Sequence, residues 1–528
     1  MRNLFRINIC FVLLGIGACT VTVPKAPETL VWHLGAEPDL LNPITSTDAY
    51  ASRIESFIYD SLIERDNVTL EWKPKMAERW EVSPDKLRFT FYLRHGIPWQ
   101  DGKPVTADDV VYSYERIMDP KVDAPHLRVY YQDLEKVEKI DDLTVRFTYK
   151  KPYFLALEFC GGIAIVPKHL FNNGEDFNKH PLNRAPVGNG PYKFVAWETG
   201  KKIVLVRNED YWGKKPDIRK ISFEIVAEDT VALQILKKGE LDFAGLRPIQ
   251  WVRQTDTPHF KKLFNKYQFY TPSYSFIGWN MRRPFFSDAR VRKAMTMLVN
   301  RDAILEKLNF GLGRVVSGPF YFESKSYDQG VAPLPYDPEV AKKLLAEAGW
   351  KDTDGDGLLD KDGRPFRFEF LIPSGRRFAE RLSSILKEDL KKVGIDMEIR
   401  KIEWAVFIKN LDDRQFDAVT LSWTFGLDQD PYQVWHSTQT EKGSNFVGFQ
   451  VPEADKLIED GRVEFDRAKR EAMNRRLHAI IAEVQPYTFL FSSPHLVALH
   501  KRFENVKVYP TGMDTLEWTV NKGFVTAP

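Results

Sequence analysis

Three cysteines are all that the 528 residues hold: Cys10, Cys19 and Cys160. Cys10 lies in an N-terminal apolar run and Cys19 at its end, so a processed chain would keep only Cys160 for its interior. That excludes a disulfide framework and leaves the fold to its cores, which a chain of this length can supply. Charge of one sign is missing as well. Lys plus Arg is 75 and Asp plus Glu 73, so no basic field exists to draw in nucleic acid. There is no phosphate-binding G-x-x-x-x-G-K-[ST], no G-x-S-x-G, no H-E-x-x-H and no C-x-x-C. Gly188-Asn-Gly190 lacks the third glycine of a dinucleotide fingerprint. These absences weigh against an enzyme and imply no cofactor.

What is present begins at the N-terminus. MRNLFRINICFVLLGIGAC has Arg2 and Arg6, an apolar run from Ile7 to Ala18 and small residues before Cys19. The run is too short to span a bilayer and suits a secretory signal over residues 1–18. Ile16-Gly17-Ala18-Cys19 resembles the lipobox of bacterial lipoproteins, with Cys19 as the lipidated residue and 19–27, carrying Pro24 and Pro27, as a short tether. Two acyl chains would hold the protein stably on a membrane. Loss of Arg2 and Arg6 would bring the 75 basic residues level with the 73 acidic ones. The aromatic fraction of 13% reads either as large cores or as a cavity walled with rings.

Along the chain, Thr29–Leu34 reads as a strand. Leu87, Phe89, Phe91 and Leu93 alternate with polar neighbours, as do Val145, Phe147 and Tyr149. Thr106-Ala-Asp-Asp opens a capped helix, so 65–180 reads as an α+β insert. Beyond residue 280 the pattern becomes helix and strand by turns. Ser287 and Asp337-Pro338 are expected helix starts, and strands are expected at 366–372, 395–402 and 416–423 with helices between. This β-α-β-α-β order implies a parallel sheet. DTDGDGLLDKDG (352–363) sits between two of these elements. Asp352, Asp354, Asp356 and Asp360 are placed like ligands of a calcium loop. The twelfth position, however, is Gly363 instead of a glutamate, and a strand follows where a helix should. Aspartate and glycine at this density also make tight turns.

AERWEVSPDKLRFTFYLRHGIPWQDGKPVTADDVVYSYERIMDP (77–120) resembles the signature region of extracytoplasmic solute-binding proteins of family 5, the dipeptide, oligopeptide and nickel receptors of ABC importers. PVGNGPYKFVAWETGKKIVLVRNEDYW (186–212) and SFIGWNMRRPFFSDARVRKAM (275–295) look like its next two blocks. The resemblance runs from about residue 28 to about 510. It implies an α/β, two-lobed periplasmic-binding-protein-like (type II) fold with an extra α+β domain inserted in the first lobe. Lobe I would be 28–64, 181–275 and 496–528, the insert 65–180, and lobe II 276–495.

In open α/β sheets ligands bind beyond the carboxyl ends of the strands. SWTFGLDQDPYQVW (422–435) follows such a strand end, which makes Trp423 the first candidate for the cleft, with Phe425, Tyr432 and Trp435 behind it. Peptide receptors of the family carry an aspartate three residues after the tryptophan, against the ligand's α-amino group. Here that position is Gly426, and counting four back from Pro431 gives Leu427. The segment is one residue longer and offers Asp428, which either meets a cationic ligand group or caps a turn. Asn189, Asn280 and Asn445 are further candidates for the wall, or else turn residues. The expected function is a lipid-anchored, monomeric receptor that captures a small solute. A di- or oligopeptide is expected first, with a nickel chelate, haem or an oligosaccharide as the alternative, and delivery is to an ABC permease. A calcium-dependent surface lipoprotein built on 352–363 and a secreted hydrolase with scattered carboxylates are the competing classes.

Overall fold

The computed structural model describes residues 28–521 and Gly523. The signal segment 1–18, Cys19 and the tether to residue 27 lie outside the described residues. The chain opens with β1 (Thr29–Leu34), whose apolar side chains are buried. α1 (Ala49–Ile58) follows, its first turn capped by Asp48, which accepts from the amides of Tyr50 and Ala51 at 2.9 and 2.8 Å.

The insert then forms around a four-stranded antiparallel sheet of β2 (Ala77–Val82), β3 (Arg88–Leu93), β4 (Leu134–Asp141) and β5 (Thr144–Tyr149), in the order β2-β3-β5-β4. Phe89, Phe91, Val145, Phe147 and Tyr149 are all buried, as their alternation requires. α2 (Ala107–Met118) opens on a capping box in which Asp109 accepts from the Thr106 amide at 2.9 Å. α3 (Ala156–Gly161) brings the insert back toward the first lobe.

β6 (Tyr192–Glu198), β7 (Lys202–Arg207), β8 (Lys220–Ile225), β9 (Phe243–Gly245) and β10 (Phe264–Phe269) return the chain to the sheet begun by β1. The second lobe follows, with β11 (Ser273–Trp279), α4 (Ala289–Met297), α5 (Pro338–Glu347), β12 (Arg367–Pro373), α6 (Arg377–Lys391), β13 (Asp396–Ile402), α7 (Trp404–Asp412) and β14 (Ala418–Thr424). It ends with α8 (Pro452–Val463), α9 (Arg467–Val484) and β15 (Tyr487–Phe489), before β16 (His495–His500) re-enters the first lobe. The first sheet has seven strands in the order β10-β16-β9-β1-β8-β7-β6; the second has five, β13-β12-β14-β11-β15.

Three differences from expectation have physical reasons. The second sheet is mixed. β12 pairs parallel with β13 and β14 through helical crossovers, but β11 and β15, which enter and leave the lobe, pair antiparallel. α4 is capped by Asp288, which accepts from the Arg290 amide at 2.8 Å, while Ser287 turns its hydroxyl to the Pro284 carbonyl. The chain crosses between sheets at 270–272 and 493–494, so boundaries at 275/276 and 495/496 would cut β11 and β16. The first lobe is tied across its chain segments by Arg502, whose guanidinium grips buried Asp242 at 2.6 and 3.0 Å, while Asp242 also accepts from the Val31 amide. Both partners are almost fully buried, and each oxygen is used, which is what a buried ion pair needs to hold.

Candidate functional site

The carboxyl end of β14 and the loop after it stand beside the crossovers. Trp423 is half-buried, its ring parallel to Phe276 and Phe446 at 6.3 and 6.1 Å, and its Nε1 points at the Tyr487 hydroxyl at 3.5 Å. Phe425 packs on Tyr274 at 5.7 Å, and its amide donates to the Pro272 carbonyl of the crossover. These rings continue the apolar core of the second lobe to its edge. Trp435 is wholly inside that core. Tyr432 stacks on His436.

Asp428 faces the insert. Its Oδ2 accepts from Arg65 at 2.6 Å, and the same guanidinium nitrogen reaches Glu158 on α3 at 2.8 Å. Arg65 lies over the Trp72 ring at 4.3 Å and donates to the Leu70 carbonyl, so its position is fixed. Burial pushes the Glu158 carboxyl up, against the pull of Arg65. Arg467 approaches Asp428 from α9 at 3.7 Å. Gly426 is open: a Cβ placed there would come no nearer than 3.8 Å to the Asp428 carbonyl and 3.9 Å to Glu158 Oε1. Two residues on, Asp430 accepts from Tyr153 of the insert and from Arg462 of α8, both at 3.0 Å. The insert is thus docked on the second lobe by two carboxylates of one loop.

One cavity opens at this junction and another at the crossovers. One of about 510 Å³ is lined by Phe154, Phe320, Gly426, Leu427, Asp428 and Arg467, among others. A larger one of about 890 Å³ lies at the carboxyl ends of β1 and β9. Its walls include Trp32, Arg53, Phe269, Thr271 and His495, so both crossovers border it. Thr271 and His495 join the crossovers by a 2.9 Å hydrogen bond.

The asparagines stand elsewhere. Asn189 is fully buried, its Oδ1 taking the Asp60 amide at 2.8 Å. Asn280 donates to the Phe416 carbonyl at 2.7 Å, and Asn445 binds the His436 and Phe449 carbonyls and the Phe449 amide. All three spend their polar atoms within the fold, mostly on backbone, with the Met76 sulfur taking the Asn189 amide and Arg282 reaching Asn280, as the turn-residue alternative expects. The 352–363 loop is exposed. The carboxylates of Asp352, Asp354 and Asp356 lie within 4.8 Å of one another, but each already accepts a backbone amide. Asp360 is taken by Thr353 and starts a two-stranded hairpin with 364–365.

Arg65, Glu158, Tyr153 and Arg53 escaped sequence reasoning. They share no motif, and only the docking of the insert brings the first three to the 425–431 loop.

The chain matches the model of bacterial extracellular solute-binding proteins, family 5 Middle, over residues 71–445. It belongs to that family. The oligopeptide-binding protein AppA of Bacillus subtilis is 33% identical over 92% of this chain and 90% of its own length. The structure of that protein in complex with a nonapeptide superposes with a TM-score of 0.80 at 30% identity, covering 94% of this chain and 99% of the other. NikZ from Campylobacter jejuni in complex with Ni(L-His) gives 0.79 at 26% identity, over 94% and 100%. The two-lobed α/β architecture is that of these neighbours, and the family is one of binding receptors rather than enzymes. Among the described residues no helix is long and apolar enough to cross a membrane.

Proposed function

We propose that this family 5 solute-binding protein is the receptor subunit of an ABC importer for peptides, anchored to the outer face of a membrane through lipid on Cys19 and acting as a monomer. The observation that carries the peptide reading is the cleft itself. Its parts are the aromatic rings at the end of β14, a cavity of about 510 Å³ lined by the loop that follows, and one of about 890 Å³ bordered by the crossovers that meet at Thr271–His495. Volumes of this order suit a ligand of several residues. An extended peptide can satisfy its main chain there while its side chains occupy wet pockets.

Closure would follow from rotation about the two short crossovers, so that both lobes contribute to affinity at once. Asp428, the acidic contact expected of this loop, lines the smaller cavity, and Arg65 already meets its charge. A ligand amine would therefore compete with Arg65 for Asp428 or approach Glu158 past the open Gly426. That arrangement also supports a second reading, a ligand without a free amine such as a metal chelate.

Native mass spectrometry of the soluble chain, purified without refolding, tests the proposal. A ladder of adducts with peptide masses that vanish on denaturation is the expected result. A single non-peptide adduct selects the second reading.

A further inference from the structure

The larger cavity contains a cation with no counter-ion. Arg53 projects from α1 into the 890 Å³ space, with its guanidinium 5.4 Å from the centre of the Trp32 ring. Its side chain is exposed and lines that cavity. Enough protein surrounds the guanidinium for burial to lower its pKa, and only the Tyr50 phenol opposes that. Among the described residues no carboxylate pairs with it. The two acids on the same wall are engaged elsewhere. Asp229 is paired with Arg247, and Asp514 accepts from Asn67 and from the Leu516 amide. His495 stands near, and burial and the Arg53 charge lower its pKa. Trp518 forms another part of the wall, and its indole N–H has no acceptor among the described residues.

A guanidinium on a cavity wall with no anion beside it is unusual here, since elsewhere in this chain arginines in comparable settings are matched. Arg65 has Asp428 and Glu158, Arg502 has Asp242 and Arg462 has Asp430. Arg292 and Arg301 are buried without acids, but backbone carbonyls fill their donors. Arg53 has neither kind of partner. Its guanidinium, with five N–H donors, lines a cavity beyond the carboxyl ends of β1 and β9, where ligands of open α/β sheets bind. Planar donors of this kind match a carboxylate in a bidentate fashion.

We infer that Arg53 is the docking point for a carboxylate of the ligand, and, resting on the peptide reading above, that this carboxylate is the peptide's free C-terminus. The first lobe then reads one end of the ligand through a charge, with Trp32 as a flat wall beside the carboxylate. The receptor would discriminate free peptides from chain-internal or C-terminally blocked sequences.

The experiment is calorimetric titration of the soluble chain, its Arg53→Gln form and its Arg53→Lys form. The titrants are a defined set of short peptides, each supplied as the free acid and as the C-terminal amide. Thermal melting of each form confirms folding. The free acid is expected to bind the parent protein at least about tenfold more tightly than the amide, the difference that one charge-assisted contact makes. In Arg53→Gln that ratio collapses toward one; Arg53→Lys keeps part of it. Equal binding of acid and amide by the parent protein would overturn the inference and leave the peptide reading standing. So would a ratio that survives Arg53→Gln. Failure of the parent protein to bind any peptide in either form would overturn the peptide reading itself, and this inference with it.

Discussion

Arg65 and Asp428 meet at 2.6 Å across the boundary between the insert and the second lobe, 363 positions apart in the chain. The contact is only partly sheltered, with about a seventh of the arginine and a fifth of the aspartate side chain exposed. Asp428→Asn would leave Arg65 with Glu158 alone. The expected cost is about 1–2 kcal/mol of docking energy, between the values for exposed and buried pairs. The insert should part from the second lobe more readily. Small-angle scattering of the unliganded protein should show a larger radius of gyration for Asp428→Asn, with a melting temperature close to the parent's. An unchanged radius would mean that Tyr153 and Arg462 on Asp430 hold the junction without it.

Trp423 should separate binding from folding. Its ring is half-buried and its neighbours Phe276 and Phe446 remain packed on the lobe core without it. Trp423→Ala is expected to weaken capture of the co-purified ligand by about tenfold or more, since a large flat ring three residues before the cavity-lining Gly426 is placed to serve as an anchor. Trp423→Phe should retain most of it. Titration of both variants with the ligand identified by mass spectrometry decides the matter. Equal affinity in all three would make Trp423 a packing residue only.

Glu55 sets a pH dependence. It is 5% exposed on α1, and burial raises its carboxyl to about 8 despite the Ser46 hydroxyl that donates to it at 3.0 Å. In the unfolded chain the group titrates near 4.5. Between these values the folded protein keeps a proton that the unfolded chain has lost. Its contribution to stability is therefore complete below about pH 4.5 and is lost as the pH rises through about 8. Glu55→Gln preserves the shape and an acceptor for Ser46. It should flatten the fall of melting temperature across that window and melt higher than the parent at pH 8 and above. Parallel curves for the two proteins would sink the assignment.

The acidic loop 352–363 should behave as a turn. Asp352 accepts from the Gly355 amide at 2.7 Å and from the Gly357 amide at 3.1 Å, and Gly355, Gly357 and Gly363 have φ of +81°, +89° and +70°. The aspartates order the backbone that the glycines allow to bend. Calcium at millimolar concentration, or its removal by a chelator, is expected to leave the melting temperature unchanged. A rise of several degrees with calcium alone would restore a metal site there.

Gly188 has the least room of the glycines in the 186–190 turn. A Cβ there would lie 2.0 Å from the Ile58 carbonyl oxygen at the end of α1. Gly188→Ala should prevent stable folding or cost more than about 3 kcal/mol, since backbone must move to admit it. Gly461 in α8 has nothing within 4 Å of the same atom, and Gly461→Ala should stabilise by up to about 1 kcal/mol. Chemical denaturation of the pair gives the comparison. Similar midpoints would contradict it.

Much of the fold was legible where one element carries its own signal. The Thr106 capping box, the Asp337-Pro338 helix start and the alternation in β3 and β5 depend on neighbours within a few residues. The mixed second sheet was not legible, because the partner of β11 is chosen by how the chain enters the lobe, not by anything in SFIGW. The site divides along the same line. Trp423 and the 426–428 loop could be placed from strand direction. The fate of Asp428 could not, because Arg65 reaches it from the insert. Nothing in the sequence around Arg53 marks it, and its lack of a partner is a property of the cavity. The asparagines stayed undecided in the sequence because an amide that locks a turn and an amide that grips a ligand are the same residue type in the same kind of loop.

The order of strands in the first sheet bears on how the molecule is made. β16, near the end of the chain, lies between β9 and β10 and is hydrogen-bonded to both. Until it arrives, the sheet that starts at residue 29 has a gap between two of its members. The second lobe, drawn from one uninterrupted stretch, has no such dependence. During synthesis from the N-terminus the first lobe must wait, loosely structured, for nearly the whole chain to appear. A protein that has to be threaded through a membrane before it folds gains from that delay, since the half that emerges first cannot set prematurely into its final shape.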